Sequence, residues 1–236
     1  MKLVVIAGPP SAGKTAVAKQ IVGHLCPNYV LAYFKIDVAK ALEDQELARE
    51  FGIATRKVYS GDLCPDHAGV MVLGDAIGWS QKLGADFLLV ETAGLCLRCA
   101  PYLNQGVGIV VVSAISGIHA PAKMGPMVGL ADVAVVTKID LVSQAEREVL
   151  REKIRGVNGD LMLVETNALQ GTALQPLYHY LESSGDIDPV TLELKGIPPL
   201  GTCTICVGKK QVGWEHHFGL VRTLAGAVGQ YLYRGE

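Results

Sequence analysis

The sequence predicts an α/β fold, a mostly parallel sheet covered by helices on both faces, and three observations lead there. Apolar runs of strand length recur at LVVIA (3–7), VLAYFKI (30–36), DFLLVE (86–91), VGIVVVS (107–113), DVAVVT (132–137) and DLMLVE (160–165). They are continuous rather than alternating, as strands buried on both faces are. Segments with mixed polar and apolar faces separate several of them, and that alternation is the signature of a parallel sheet with crossover helices. Finally, the first run leads directly into GPPSAGKT, residues 8–15, a glycine-rich turn followed by a helical pattern.

That turn carries the first functional signal. Gly8, Gly13, Lys14 and Thr15 fit G-x-x-x-x-G-K-S/T, with Pro9, Pro10, Ser11 and Ala12 between the glycines. In such a P-loop the backbone N–H groups close around phosphate oxygens at a helix N-terminus. Lys14 would reach the β- and γ-phosphates, and Thr15 would ligate Mg²⁺. The bland alternative is a plain β–α turn rich in small residues. Context argues against it, because TAVAKQIVGHL (15–25) places Val17, Ile21, Val22 and Leu25 at helical spacing.

The remaining helices are expected at KALEDQELAREF (40–51), HAGVMVLGDAIGWSQKLG (67–84), SQAEREVLREKIRG (143–156) and TALQPLYHYLESS (172–184). A P-loop nucleoside-triphosphatase domain is therefore expected over residues 1–184. Residues 185–215, rich in Gly, Pro and β-formers, read as an extended cysteine-containing appendage, and HHFGLVRTLAGAVGQYLY (216–233) as a closing helix. No internal repeat or low-complexity tract interrupts the pattern.

Composition bounds the rest. A chain of 236 residues with 50% hydrophobic content supports one large α/β domain with a sizeable core. Its 21 basic and 23 acidic residues, net −2, give no electrostatic footprint for nucleic acid or a membrane surface. No uninterrupted apolar stretch reaches the roughly 18 residues of a membrane span, and MKLVVIAG is too short for a signal-peptide core. A cytoplasmic location is expected. In that reducing setting the six cysteines read as metal or redox sites before disulfides.

TKID (137–140) follows the DVAVV run, where a nucleotide base would lie at the carboxyl edge of the sheet. An N/T-K-x-D motif there reads guanine. Asp140 would accept from both N1–H and the exocyclic amine, Lys138 would pack along the base, and Thr137 completes the motif. A surface Lys–Asp pair is the alternative. ETNALQGTALQPLYHYL (165–181) then stands where a base-capping loop belongs.

With these motifs the chain, over about residues 3–182, resembles the CobW/HypB/UreG nucleotide-binding domains. Within that family of SIMIBI-class P-loop GTPases, HypB and UreG insert nickel in hydrogenase and urease maturation. The resemblance implies a slow GTPase, a homodimer, and a client metalloenzyme or its assembly factors as partner. It also implies that Ala168 presents its backbone N–H to the guanine O6, that Asp37 acts near Mg²⁺, and that Glu91 and Gly94 replace the usual D-x-x-G γ-phosphate sensor. Asp37 or Asp62 would orient the attacking water. YSGDLCPDHAG (59–69) resembles the segment carrying the family's Cys-Pro-His or Cys-His metal ligands, here Cys64 and His67 with Asp66 inserted between them. In the family this segment meets its symmetry mate across a two-fold interface. Asp66 could itself offer an oxygen; the alternative is a helix-capping turn.

Cys96 and Cys99 form a C-x-x-C just after Gly94, and Cys203 and Cys206 form a second, knuckle-like pair. Four thiolates match a zinc site or a four-iron four-sulfur cluster; nickel also suits thiolate with imidazole, while thiol–disulfide chemistry or ordinary burial are the alternatives. Cysteines near the phosphate sensor resemble the nitrogenase-reductase type of P-loop ATPase, yet the loop lacks the extra lysine of that type's K-G-G-x-G-K-T. Cys26, His24, His119 and His179 read as structural, and Trp214, His216 and His217 as possible support for the knuckle. Three functions remain open: a GTP-driven metallochaperone, an iron–sulfur reductive activator of a corrinoid or nickel enzyme, and a metal-independent regulatory binding module.

Overall fold

All six apolar runs form strands, and two further strands that the sequence pattern does not announce join them. The computed structural model describes residues 1–38, 42–60, 64–94, 100–196, 210–213, 216 and 222–223. In chain order the strands are β1 (Lys2–Ala7), β2 (Leu31–Asp37), β3 (Ala54–Tyr59), β4 (Phe87–Glu91), β5 (Val107–Ser113), β6 (Val133–Thr137), β7 (Met162–Glu165) and β8 (Arg222–Thr223). The sheet runs β7-β6-β5-β1-β4-β2-β3-β8. β1 to β7 are parallel, and β8 pairs antiparallel with the outer edge of β3. The closing helix expected over 216–233 thus gives way at Arg222–Thr223 to a strand; most of that segment lies outside the described residues.

β3, ATRKVY, reads polar because its charged side chains find their partners on other elements, away from it in sequence. Arg56 lies over the Trp79 ring, 4.8 Å from its centroid. Lys57 is buried and pairs with Asp44 at 2.5 Å.

Among the described residues seven α-helices cover the sheet: α1 (Lys14–Leu25), α2 (Glu43–Phe51), α3 (Pro65–Lys82), α4 (Ala120–Lys123), α5 (Gly125–Gly129), α6 (Gln144–Arg155) and α7 (Gln175–Ser183). Alternate residues of each central strand feed two separate cores. Val4, Ile6, Tyr33, Leu89 and Val111 pack beneath α1 and α7. Leu3, Val5, Phe34, Val90 and Val112 pack against α3, α5 and α6 on the other face. Pro121 and Pro126 lie in the first turns of α4 and α5, and Pro126 cannot continue α4. α6 starts in a capping box between Ser143 and Glu146.

Residues 185–196 contain one 3₁₀ turn, Pro189–Thr191, and stay on the domain. Ile187, Leu192 and Leu194 enter the second core, and the Met1 amino group pairs with Asp186 at 2.9 Å. Lys195 closes the segment on Asp132 at 2.5 Å. Among the described residues no helix is long and apolar enough to cross a membrane.

Candidate nucleotide-binding site

The parallel sheet brings the ends of β1, β2, β4, β5 and β6 to one edge, and the sequence motifs lie there. The turn from Gly8 to Gly13 leaves β1 and opens α1 with Gly13 in the left-handed region, φ 96°. No side chain caps the first turn of α1, so its N–H groups remain available to an anion. Lys14 is buried, and its Nζ donates to the Gly8 and Pro9 carbonyls, both at 3.0 Å. Burial draws its pKa below the ordinary value, while Glu91 works in the opposite direction.

Glu91, at the end of β4, ties the loop to the sheet. Its Oε1 accepts from the Thr15 hydroxyl at 2.7 Å and from Lys35 at 3.2 Å, and its Oε2 accepts from Tyr33 at 2.6 Å. Lys35 and Glu91 are direct partners across the β2–β4 ladder, so the sheet register itself sets this pair. Asp37 and Glu43 lie 3.9 and 3.5 Å from the Lys35 ammonium. Burial opposes the charge on Lys35, but Glu91 and Glu43 outweigh it and the pKa rises. Thr15, Lys35, Asp37, Glu43 and Glu91 line a cavity of about 370 Å³ that also takes in Ser11, Gly13, Lys14 and Thr92. Lys35, Tyr33 and Glu43 were not singled out in the sequence. The available signal was a lysine inside the otherwise apolar VLAYFKI.

Gly94, at φ +71°, closes over the phosphate loop. A Cβ there would lie 1.7 Å from the Gly8 carbonyl oxygen and 3.1 Å from Lys14 Nζ. The expected phosphate sensor thus packs directly on the loop whose contents it would sense.

On the base side, the Thr137 hydroxyl donates to the Ala12 carbonyl at 2.6 Å and Lys138 Nζ donates to that of Ser11 at 2.8 Å. Lys138 adopts φ 57°, and Asp140 follows, exposed, in the 3₁₀ turn Ile139–Leu141. The capping loop is held by its own polar side chains. Thr166 donates to the Thr172 carbonyl at 2.6 Å, and Asn167 Oδ1 accepts from the N–H groups of Leu169 and Gln170. Gln20 reaches from α1 to the Ala168 carbonyl at 3.0 Å, a support visible only in three dimensions.

The candidate metal ligands are less fully assembled. Cys64 is the half-buried N-cap of α3, and His67 is buried in its first turn. Among the described residues, no group of three or more His, Cys, Asp or Glu side chains is arranged to hold a metal ion. Asp62, Cys96, Cys99, Cys203 and Cys206 lie outside the described residues. Asp66 is buried, with neither carboxylate oxygen hydrogen-bonded. Desolvation raises its pKa to about 7, against the pull of Lys14.

Comparison with known proteins follows the same lines. The family model for the CobW/HypB/UreG nucleotide-binding domain matches residues 2–165. The chain belongs to that family. An uncharacterized protein of Methanocaldococcus jannaschii is 38% identical over the full length of both chains. Among solved structures, the hydrogenase maturation factor HypB of Archaeoglobus fulgidus superposes with a TM-score of 0.62 at 21% identity, covering 77% of this chain and 89% of its own. HypB of Helicobacter pylori, solved in complex with nickel, also gives 0.62, at 16% identity, covering 80% and 91%. The CobW/HypB/UreG match includes β1 to β7 and therefore the phosphate loop, Glu91 and TKID.

Proposed function

We propose that this chain is a GTP-binding and GTP-hydrolysing metallochaperone or maturation factor that acts as a homodimer in the cytoplasm on a client metalloenzyme. The observation that carries the guanine reading is the lacing of Thr137 and Lys138 onto the phosphate-loop carbonyls of Ala12 and Ser11, with the Asp140 carboxylate exposed one turn on. One rigid unit then offers donors for phosphates and an acceptor pair for a guanine edge.

The chemistry is positioning. Lys14 and the first N–H groups of α1 hold the phosphates. Thr15, Asp37 and Glu91 converge as hard oxygen donors, which suits Mg²⁺. That ion, when bound, would supply charge neutralisation on the phosphate oxygens. Asp37 or Asp62 orients the attacking water. Gly94 links the γ-phosphate to the segment carrying Cys96 and Cys99, which with Cys64, His67, Cys203 and Cys206 supply soft donors for transition-metal cargo.

Family membership and the likeness to HypB, one example of which was solved with nickel, support the metallochaperone reading. Calorimetric titration with GTP and ATP, together with metal analysis of anaerobically purified protein, tests it. Tight GTP binding, weak ATP binding and stoichiometric nickel or zinc are expected. Equal affinities would overturn the guanine assignment, and a brown preparation containing iron and sulfide would replace the chaperone with the reductive activator.

A further inference from the structure

The buried lysine at the end of β2 is the least expected feature of the site. Lys35 Nζ does not commit to one carboxylate at short range. It lies 3.2 Å from Glu91, 3.5 Å from Glu43, 3.9 Å from Asp37 and 3.5 Å from the Thr15 hydroxyl. Oxygens from four chain segments therefore converge on one ammonium group, which is buried apart from a small fraction of its surface. Three of those oxygen-bearing residues, Thr15, Asp37 and Glu91, are the ones this site offers to a divalent cation.

We propose that Lys35 is a built-in cation competing with Mg²⁺ for these oxygens, so that the protein takes up guanine nucleotide with little dependence on the metal. The proposal rests on the nucleotide-site reading above. Its physical basis is charge balance. Glu43, Glu91 and Asp37 bring three carboxylates into the cavity against two ammonium groups, Lys14 and Lys35. Without Lys35 the excess negative charge would repel an incoming polyphosphate, and a divalent ion would be required to offset it. With Lys35 present the excess falls from two negative charges to one before any metal enters. The four-carbon stem also lets the ammonium group turn toward phosphate when the metal enters, a freedom an arginine fork lacks.

Fluorescent GDP-analogue titrations of the intact protein, in millimolar Mg²⁺ and in EDTA, test this. For the wild type the two affinities should differ by less than about threefold, whereas Lys35→Met should lose roughly tenfold or more on metal removal. Mg²⁺ alone, without nucleotide, should raise the melting temperature of Lys35→Met but not of the wild type. The charge-balanced double variant Lys35→Met, Glu43→Gln should recover part of the metal-independent affinity. Lys35→Arg keeps the charge and should bind in EDTA as the wild type does, but gain less when Mg²⁺ is added; Lys35→Gln, which removes the charge, should follow the methionine variant and serves if that one does not fold. A wild-type affinity that collapses in EDTA would overturn the proposal, as would the same metal dependence in Lys35→Met as in wild type. Absence of guanine-nucleotide binding even in Mg²⁺ would instead remove the site reading beneath it.

Discussion

The Thr15 hydroxyl donates to Glu91 Oε1 at 2.7 Å across 76 positions of sequence, joining the end of the phosphate loop to the end of β4. The same carboxyl group accepts from Tyr33 and Lys35, so one buried acid couples the phosphate loop, β2 and β4. Glu91→Gln keeps the shape but removes the charge, leaving Lys35 without its strongest buried partner. A stability loss of about 2–4 kcal/mol in urea unfolding is expected, with nucleotide hydrolysis reduced more than nucleotide affinity.

Gly94 meets the Gly8 carbonyl too closely to accept any side chain. Gly94→Ala must therefore displace either residues 91–94 or the phosphate loop, and it also places alanine at a positive φ. A loss of about 2 kcal/mol or more is expected, together with at least roughly tenfold weaker nucleotide binding by calorimetry. Unchanged affinity would mean that the two segments separate freely when nucleotide binds.

Asp140→Asn should exchange an acceptor for a donor at the expected guanine edge. GTP affinity should fall by about 2–4 kcal/mol while xanthine nucleotide affinity rises, measured by competition titration. The exposed position predicts little change in melting temperature.

Glu165, at the end of β7, accepts from Arg147 at 2.7 Å and Arg151 at 3.1 Å, just before the base-capping loop. Partial burial alone would raise its pKa, but the arginine bonds outweigh it and the folded value falls below that of an unperturbed glutamate, 4.5. The resulting stability is present above about pH 4.5 and is lost as pH falls through the lowered folded value. Glu165→Gln should therefore cost about 1 kcal/mol at neutral pH in denaturant unfolding, and the difference should vanish in strong acid.

How much of this was legible beforehand varies with the range of the interaction. Six strands announced themselves as apolar runs because both faces of a parallel sheet are buried. The phosphate loop and TKID were legible because each is a short motif of particular residues at fixed local spacing. β3 escaped because its arginine and lysine look polar in sequence, while their partners Trp79 and Asp44 are supplied by other elements. The strand at Arg222–Thr223 escaped because a two-residue pairing is decided by the edge of β3 rather than by its own composition.

The sequence by itself determined the alternation of strands and helices, the phosphate loop at the end of β1 and the TKID motif at the end of β6. Periodicity and turn chemistry act within a few residues, so these follow from local physics. Only the tertiary structure decided that β1 lies between β4 and β5, that Gln20 supports the Ala168 carbonyl, and that Lys35 stands beside Glu91. Those relationships depend on sheet order and register across distant segments. In the sequence Lys35 is one charge within an apolar run, whereas in the sheet it is the cation on which Thr15, Asp37, Glu43 and Glu91 converge.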